Sequence, residues 1–413
     1  MNEQRKEEGM AQVQRTIPIL LPADEDLRQT LAVFQAVQQQ LSAPCFNGGR
    51  PLSAVRLHRA CYQEVRGQLN AQMTCTAIRL VAAAYQSAQS NRRPPRHPFQ
   101  FRRRRALFLI GPRGRDASLR PDGSLSIWTV AGRKQLPYRV PEAFQQRLAQ
   151  AKTIDSLMVL ERAGQLIGRL TLTLEVPDPP AACPETEAIV GIDLNETNAL
   201  VAVDGEERVL FVSGKAVKVR NRRTAKTRAR LQRKLAAHKA QHRDTRSVRR
   251  VLKRLGRRQR HRTQTFAQTV AKRLVDWAPP QAVLVFERLQ VPPPQQEQIR
   301  GRALRRRLAL WQRGLIRRWA EQQAQEQGLR VVEVNPAYTS QICSHCGQRG
   351  TRRRHRFTCP HCGAEEHADI NAARNIRTRA RCTVLRGSGL LSTSPEARAA
   401  EAAGKPLAPA RGS

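Results

Sequence analysis

The stretch AIVGID, residues 188–193, is a run of apolar, partly β-branched residues that ends in an acid, Asp193. A second run of the same kind, AVLVFE (282–287), ends in Glu287. Short apolar runs of this length are typical of buried strands. The two runs therefore predict two strands of one sheet, each with an acid at its carboxyl end.

A third acid, Asp369, opens a predicted helix in HADINAARNI (367–376), directly after a cysteine-rich insert. Nucleases of the ribonuclease H type bring acids from distant parts of the sequence to strand ends, where they hold two divalent metal ions on the scissile phosphate. Carboxylates suit this task because Mg²⁺ prefers hard oxygen ligands. Asp193, Glu287 and Asp369 together predict a metal-dependent nuclease with two catalytic Mg²⁺ ions.

The charge of the chain predicts a polyanionic partner. Among 413 residues, 73 are Lys or Arg and 33 are Asp or Glu, which gives a net charge of +40. Such a surplus repels itself unless a polyanion neutralises it, and this favours a complex with nucleic acid. Residues 215–273 hold 23 Lys or Arg and a single acid, Asp244. A solvated helix face is the ordinary interpretation of a charge run, but a run of one sign this long favours contact with nucleic acid.

The N-terminal stretch MNEQRKEEGM is polar and lacks the apolar segment of a signal peptide. No window reaches the ~18 consecutive apolar residues that a membrane helix needs. The nine cysteines are odd in number and five of them are scattered, which argues against a disulfide framework. We therefore expect a protein of a reducing, cytoplasmic compartment with no membrane partner.

Four cysteines share the regular spacing C-x2-C-x12-C-x2-C, and a glycine follows each pair: Cys343, Cys346, Cys359 and Cys362. Two such knuckles can present four thiolates tetrahedrally, while the glycines let the backbone aim N–H groups at sulfur. Free vicinal pairs or redox chemistry are the alternatives, but the spacing favours one structural Zn²⁺. His345 and His361 lie between the paired cysteines and could substitute for them. His355 and His367 are interpreted as polar loop residues.

The N-terminal part of the chain contains three regions with different sequence patterns. Residues 17–21 (IPILL) predict a short strand, and the chain from Asp24 to about Ser90 has helical periodicity. From Phe99 to about Val176, short apolar runs alternate with turn signals. The pattern predicts a β-barrel or sheet that the first strand completes, with the helical block inserted.

The C-terminal part opens with three predicted antiparallel strands, AIVGID, NALVAVDG and RVLFVSG, joined by tight turns. Three such strands with an acid on the first match the ribonuclease H topology. A helix from about Ala303 to Gln327 is predicted to end at Gly328, before the strand LRVVEV (329–334). The Ala, Pro, Gly and Ser-rich tail predicts disorder.

The run NPAYTSQICSHCGQRGTRRRHRFTCPHCGAEEHADINAARNI (335–376) resembles the C-terminal signature of the transposon-encoded TnpB nucleases, which are related to the miniature type V CRISPR effectors. With GIDLN and VFERL before it, the resemblance covers about 188–380, whereas the N-terminal 180 residues match only in layout. It implies that Asp193, Glu287 and Asp369 are the RuvC carboxylates. It also implies that the four cysteines bind the zinc of a target-nucleic-acid-binding finger, and that the protein is prokaryotic and nucleoid-associated.

The fold class so implied is α+β multidomain: a ribonuclease H-like (RuvC) nuclease domain with an inserted four-Cys zinc finger, plus an N-terminal β-barrel (wedge) domain with an inserted helical recognition domain. The expected domains are 1–23, the N-terminal arm and first wedge strand; 24–92, the helical recognition domain; 93–180, the wedge; 181–335, the nuclease domain with its first two acids; 336–366, the zinc finger; 367–382, the third nuclease motif; and 383–413, the disordered tail.

The implied function is that of an RNA-guided DNA endonuclease, which pairs a structured guide RNA with target double-stranded DNA and cuts beside a short flanking motif. The alternatives are an RNA-guided repressor without cleavage and an unguided, resolvase-like nuclease. The three intact acids argue against the repressor, and the long N-terminal part argues against the unguided nuclease. The sequence leaves open whether the guide derives from a transposon or a CRISPR array, and it leaves the oligomeric state unknown.

Several positions depart from the family pattern or allow two roles. Asn195 stands where many relatives have Gly, and we expect it to adopt the left-handed conformation of that turn. Glu196 could add a carboxylate to the metal site or face solvent in the turn. Ala368 replaces an acid or Arg before the last acid. Asn371 and Asn375 could support the metal or a phosphate, or could equally cap or pack.

Overall fold

The structure of the protein is a computed structural model, and it describes residues 10–91, 93–110, 116–178, 188–288 and 313–385. These form two units, Met10–Glu175 and the chain from Val176 onward. Two sequence predictions lie wholly or mainly outside the described residues: the first half of the helix predicted from Ala303, and the tail beyond residue 385.

The described residues of the first unit form seven strands in two sheets. In chain order they are β1 (Met10–Leu20), β2 (Arg105–Leu109), β3 (Ala117–Leu119), β4 (Ser124–Thr129), β5 (Gly132–Pro137), β6 (Ala151–Arg162) and β7 (Gln165–Pro177). One sheet has the order β1-β7-β6-β2 and the other β3-β4-β5. The strand predicted at 17–21 is correct in place but begins at Met10, because alternate side chains as far back as Val13 and Arg15 turn away from solvent. The predicted barrel stays a prediction.

The helical block of this unit consists of α1 (Glu25–Phe46), α2 (Ala54–Val65) and α3 (Ala71–Ser90), and a short helix α4 (Gln145–Ala149) lies later in the chain. Each of the three long helices begins at a polar residue whose side chain accepts an N–H of the first turn: Asp24, Ser53 and Asn70. The first two helices are separated at residues 47–49, where Gly48 takes a positive φ of 63°. The helical periodicity of 24–90 is therefore confirmed as three separate helices.

The second unit is built on a five-stranded sheet of order β10-β9-β8-β11-β12. Its strands are β8 (Ile189–Asp193), β9 (Asn198–Val203), β10 (Val209–Ser213), β11 (Val283–Glu287) and β12 (Arg330–Val334). The first three are antiparallel, as predicted, while β11 runs parallel to both β8 and β12. The sheet therefore places β8 at its centre, between an antiparallel and a parallel neighbour.

Two long helices, α5 (Lys215–Ala240) and α6 (Arg246–Trp277), form the predicted basic stretch. Among its residues α5 buries only Thr224, whereas the last third of α6 packs on the sheet through Ala267, Val270 and Leu274. An added Cβ at Gly256 would lie 3.3 Å from the end of the Arg228 side chain, so α5 and α6 are close together at this point. Helices α5 and α6 together form the α5–α6 hairpin. Outside the last third of α6, this hairpin makes few apolar contacts, and its Lys and Arg side chains are exposed.

Two further helices cover the sheet. Helix α7 (Arg313–Glu326), where the described chain resumes, packs with α6 on one face. Helix α8 (Ala368–Leu385) covers the opposite face through Ile376 and Ala380. The helix predicted to stop at Gly328 ends as expected, with a φ of 67° at that glycine.

Between β12 and α8 lies the finger, residues 343–367, with a small antiparallel sheet of β13 (Thr351–Arg353), β14 (Arg356–Thr358) and β15 (Glu365–His367). Its buried core contains only Cys343, Phe357, Cys359 and Ala368. A core this small needs another source of stability, such as a metal ion. In the described parts of the whole chain, no helix is long and apolar enough to cross a membrane.

Candidate functional site

Asp193 and Glu287 lie at the same end and on the same face of the large sheet. Strands β8 and β11 are parallel neighbours, with Ile192 opposite Phe286, and each acid is the next residue of its strand. Ile192 and Phe286 face the core under α6 and α7. Because side chains alternate along a strand, the two acids face the other way, toward α8.

The third acid, Asp369, reaches this end of the sheet because α8 packs unusually close to β8. A Cβ at Gly191 would lie 2.1 Å from the carbonyl oxygen of Ala373, so only glycine permits the contact. Ala373 is itself fully buried, and Asp369 lies one turn before it, 1% exposed. The predicted convergence of Asp193, Glu287 and Asp369 thus depends on two small residues that meet between helix and sheet.

The negative charges of two of the acids affect the pKa of the third, Asp193. Asp193 is 8% exposed, and its burial is the largest cause that raises its pKa. The negative charges of Asp369 and Glu287 add to this effect and raise the pKa of Asp193 to about 7. Donation from Asn195 and the positive charge of Arg352 act in the opposite direction. A divalent cation would relieve the repulsion between these groups.

The turn between β8 and β9 orients two of the acids. Asn195 Oδ1 accepts the N–H groups of Thr197 (2.9 Å) and Asn198 (2.8 Å), while its Nδ2 donates to Asp193 Oδ2 at 3.1 Å. Asn198 Nδ2 donates to Asp369 Oδ2 at 2.8 Å. The expectation that Asn195 is left-handed is wrong, because it has no positive φ. Its side chain closes the turn instead.

Two more contacts at the site were not predicted from the sequence. The hydroxyl of Thr339 donates to Glu287 Oε1. Arg352 Nη2, from the finger, donates to Asp369 Oδ1 at 2.7 Å. In a chain with 73 Lys and Arg residues, nothing in the sequence distinguishes Arg352 from the other basic residues. Thr339 lies in the quoted stretch 335–376, but none of its neighbours in the sequence marks it as part of the site.

Of the ambiguous positions, Glu196 forms an ion pair with Lys218 at 3.6 Å, in the turn next to the acids. Asn371 is fully buried, accepts the N–H of Ser344 at 2.8 Å and donates to the carbonyl of Ile342 at 2.7 Å. Asn375 donates to the same carbonyl, also at 2.7 Å. Both asparagines therefore pack, and they fasten the first cysteine knuckle to α8.

The four cysteines converge as the spacing predicts, with all four Sγ atoms within 4.8 Å of one another. The Sγ atoms of Cys343 and Cys362 are 3.7 Å apart, and those of Cys346 and Cys359 are 3.5 Å apart. Four thiolates around a tetrahedral Zn²⁺ would be about 3.8 Å apart. The donor set therefore fits one zinc ion.

A backbone N–H group favours the thiolate form of one of the four cysteines, Cys359. Donation by the N–H of Cys362, chiefly, lowers the pKa of the Cys359 thiol to about 6. The glycines after the two pairs, Gly347 and Gly363, each have a φ of 73°. Each donates its N–H back to the first cysteine carbonyl of its pair, at 3.0 Å. The glycines thus allow the knuckle turns that the sequence predicted.

Two family models match separate segments of the chain. The first is described as "Probable transposase" and matches residues 171–278, and the second is described as "Cas12f1-like, TNB domain" and matches residues 314–376. The first covers β8 to α6, with Asp193, and the second covers the finger and the start of α8, with Asp369. The two matches therefore contain two of the three acids and all four finger cysteines.

Curated relatives match over short segments. A CRISPR-associated endodeoxyribonuclease Cas12f1 of Sulfoacidibacillus thermotolerans is 48% identical over 56 residues, 13% of each chain. A TnpB-like protein of Aquifex aeolicus (strain VF5) is 31% identical over 119 residues, 26% of this chain and 37% of the relative. The chain thus matches well under half the length of these relatives. A solved Cas12f1–sgRNA–target DNA complex has a similar fold, with a TM-score of 0.53 at 14% identity, over 85% of this chain and 81% of that one.

Proposed function

The matches confirm the predicted resemblance to the TnpB family and the miniature type V effectors, and on this premise we propose that the chain is an RNA-guided DNA endonuclease. A structured guide RNA would select target double-stranded DNA by base pairing, and the protein would read a short flanking motif. The observation that carries the proposal is the convergence of Asp193, Glu287 and Asp369 at one end of one sheet face.

We assign the sheet with α6, α7 and α8 to a RuvC nuclease domain, with the finger as its zinc-binding insert. The first unit would supply the wedge sheets and the helical recognition domain. The domain boundaries given above remain proposals. One structural Zn²⁺ in the finger and two Mg²⁺ ions at the acids complete the proposed set of metals.

The residues at the sheet edge fit Mg²⁺. Asp193, Glu287 and Asp369 offer hard carboxylate oxygens, and after burial the negative charges of Asp369 and Glu287 also raise the pKa of Asp193. When bound, the divalent ions would activate water for attack and stabilise the leaving oxygen of the scissile phosphodiester. The three acids are the residues that would hold them.

The remaining polar groups position these carboxylates before any ion arrives. Asn195 orients Asp193, and Asn198 orients Asp369, while Thr339 donates to Glu287. Each contact restricts the rotation of one carboxylate, and such preorganisation sharpens a catalytic metal site. Arg352 supplies the single cation that contacts Asp369 among the described residues.

Nucleic-acid contact is proposed chiefly for the α5–α6 hairpin. The two helices expose nearly all of their Lys and Arg side chains and bury little apolar surface. A surface of this kind binds phosphates with little regard to sequence, which suits a guide RNA or a heteroduplex.

The test is to purify the protein from its native locus and sequence the RNA that accompanies it, then to assay cleavage by that complex. We expect one structured RNA with a variable segment and Mg²⁺-dependent cutting of matching DNA. Asp193→Asn should abolish cutting and keep the RNA. Glu206→Gln removes an exposed acid of the β9–β10 turn and serves as the matched control.

The alternatives give different results. Heterogeneous RNA with cutting that needs no guide would indicate an unguided nuclease. A discrete RNA with target binding but no cutting by the wild-type protein would indicate a repressor. Mg²⁺-dependent cutting by the Asp193→Asn complex would overturn the catalytic assignment itself.

A further inference from the structure

A second group of metal-ligating side chains lies beside the three acids. One ligand atom each of His355, His367 and Asp369 lies within 4.8 Å of the others. In the described chain, the four cysteines form the other group of three or more His, Cys, Asp or Glu residues that meets this limit. The histidines were interpreted from the sequence as polar loop residues, but they face a buried acid.

The two rings contact each other, and one of them contacts a neighbouring phenyl ring. The imidazoles of His355 and His367 are stacked, with centroids 5.5 Å apart and an angle of 20° between their planes. The ring of Phe211, on β10, contacts the His367 ring edge-on at 5.2 Å. The backbone N–H of Asp369 donates to His367 Nδ1 at 3.2 Å, which orients the ring, and an ion bound at Nδ1 would replace this hydrogen bond.

The distances require only a small adjustment. His367 Nδ1 lies 3.9 Å from Asp369 Oδ2. A nitrogen and an oxygen on one tetrahedral zinc ion would be about 3.4 Å apart, so the two atoms need to approach by roughly 0.5 Å. His355 is exposed in the turn between β13 and β14, where its ring can rotate without disturbing a core.

We propose that His355, His367 and Asp369 bind a divalent transition ion of the zinc class, at a site separate from the four cysteines. Two imidazoles and a carboxylate are donors that favour Zn²⁺, Co²⁺ or Ni²⁺ over Mg²⁺. Arg352 donates to Asp369 Oδ1 and Asn198 donates to Oδ2, so the ion would share Oδ2 with the Asn198 amide.

This ion shares Asp369 with the proposed Mg²⁺ site. Zinc bound there removes one carboxylate from the magnesium ligands, so zinc inhibits cleavage when Mg²⁺ is limiting. The inhibition rests on the proposed nuclease function, whereas the binding site itself does not. A measurement of metal content therefore separates a failure of this proposal from a failure of the proposed function.

The experiment uses the full chain, with its cysteine site filled, dialysed to equilibrium against Zn²⁺ and then assayed for bound metal. Wild-type protein is expected to bind two zinc ions per chain, one at the cysteines and one at this site. His355→Ala with His367→Ala should bind one. The matched control, His345→Ala with His361→Ala, removes the same number of histidines from the same module and should still bind two.

A second readout tests the donor chemistry. His367→Asp replaces a nitrogen by an oxygen, and it should weaken Zn²⁺ binding by about tenfold or more while affecting Mn²⁺ binding less. Far-ultraviolet circular dichroism and retention of the cysteine-bound zinc show that each variant is folded. One zinc per wild-type chain, two in the His355/His367 double variant, or an equal loss in the control pair would each overturn the proposal.

Discussion

Arg352 of the finger forms an ion pair with the buried acid Asp369, with Nη2 and Oδ1 2.7 Å apart. Asp369 is 1% exposed at its side chain and Arg352 is 34% exposed, so the pair connects the finger surface to the interior of the sheet. The guanidinium supplies one positive charge where the proposed function requires divalent cations. It therefore competes with the ions for Asp369.

Arg352→Ala is expected to lower the Mg²⁺ concentration needed for half-maximal cleavage, because it removes this competing cation. It should also lower the free energy of unfolding of the metal-free protein by about 1–3 kcal/mol, since a buried carboxylate loses its charged donor. Cleavage titrations and urea unfolding measure the two effects. Arg353→Ala removes the same charge from the next residue of β13, and an equal effect there would attribute the result to net charge alone.

The raised pKa of Asp193 predicts a pH dependence of the metal-free protein. Its pKa is 3.8 in the unfolded chain and about 7 when folded, so the folded state binds the proton more tightly. The stabilisation from this proton is therefore complete below about pH 4 and is lost as the pH rises through 7. At pH 8, Asp193→Asn should stabilise the metal-free protein by a few kcal/mol, of the order of 1.4 kcal/mol per pKa unit.

This advantage of Asp193→Asn should shrink as the pH falls from 7 toward 4, and it should disappear when Mg²⁺ is added to the wild type. Thermal unfolding at several pH values, with and without Mg²⁺, measures both. A stability difference that does not change with pH would show that Asp193 titrates at its ordinary value.

Loss of zinc should unfold the finger and disturb the start of α8. The finger buries only three of its own side chains in its core, together with Ala368 of α8, and two of these three are zinc-ligand cysteines. With Cys346→Ser or a chelator, we expect amide exchange to rise across residues 343–369 and to stay unchanged in β8 and β9. Hydrogen-exchange mass spectrometry measures this, and protection retained across the finger without zinc would contradict it.

Asn371→Ala should weaken the attachment of the finger. The substitution leaves the part-buried N–H of Ser344 without its acceptor and removes one of the two side-chain donors to the carbonyl of Ile342, at a cost of about 1–3 kcal/mol. Asn371→Asp keeps the acceptor for Ser344 and should cost less. Urea unfolding and zinc affinity measured together test this order, and a larger loss with Asp than with Ala would reverse the assignment.

The α5–α6 hairpin should contribute a measurable share of the salt dependence of RNA binding. Arg250, Arg254 and Arg257 are exposed on one face of α6. Changing all three to Gln should reduce the slope of log K against log salt by roughly 2, at about 0.7–0.9 for each phosphate that is no longer neutralised. Lys272→Gln, a basic residue that pairs with Asp276 instead, should change the slope less. An unchanged slope in the triple variant would show that the RNA phosphates do not contact these three arginines.

The sequence by itself determined the elements that carry the site. Apolar runs ending in Asp193 and Glu287 predicted two buried strands, and the spacing of the cysteines predicted a four-thiolate site. Such patterns are local, because a strand's burial and a knuckle's geometry depend on residues a few positions apart. The same local reasoning placed the three antiparallel strands of the large sheet correctly.

Only the tertiary structure decided which side chains contact these acids. The sequence assigned Asn195 a backbone conformation, whereas its side chain closes the turn and binds Asp193. It interpreted His367 as a polar loop residue and passed over Arg352, and both lie against Asp369. Asn198 contacts Asp369 across 171 residues of sequence, because Gly191 admits α8 onto β8. A contact made by such long-range packing has no fixed spacing along the chain, and no local pattern could have revealed it.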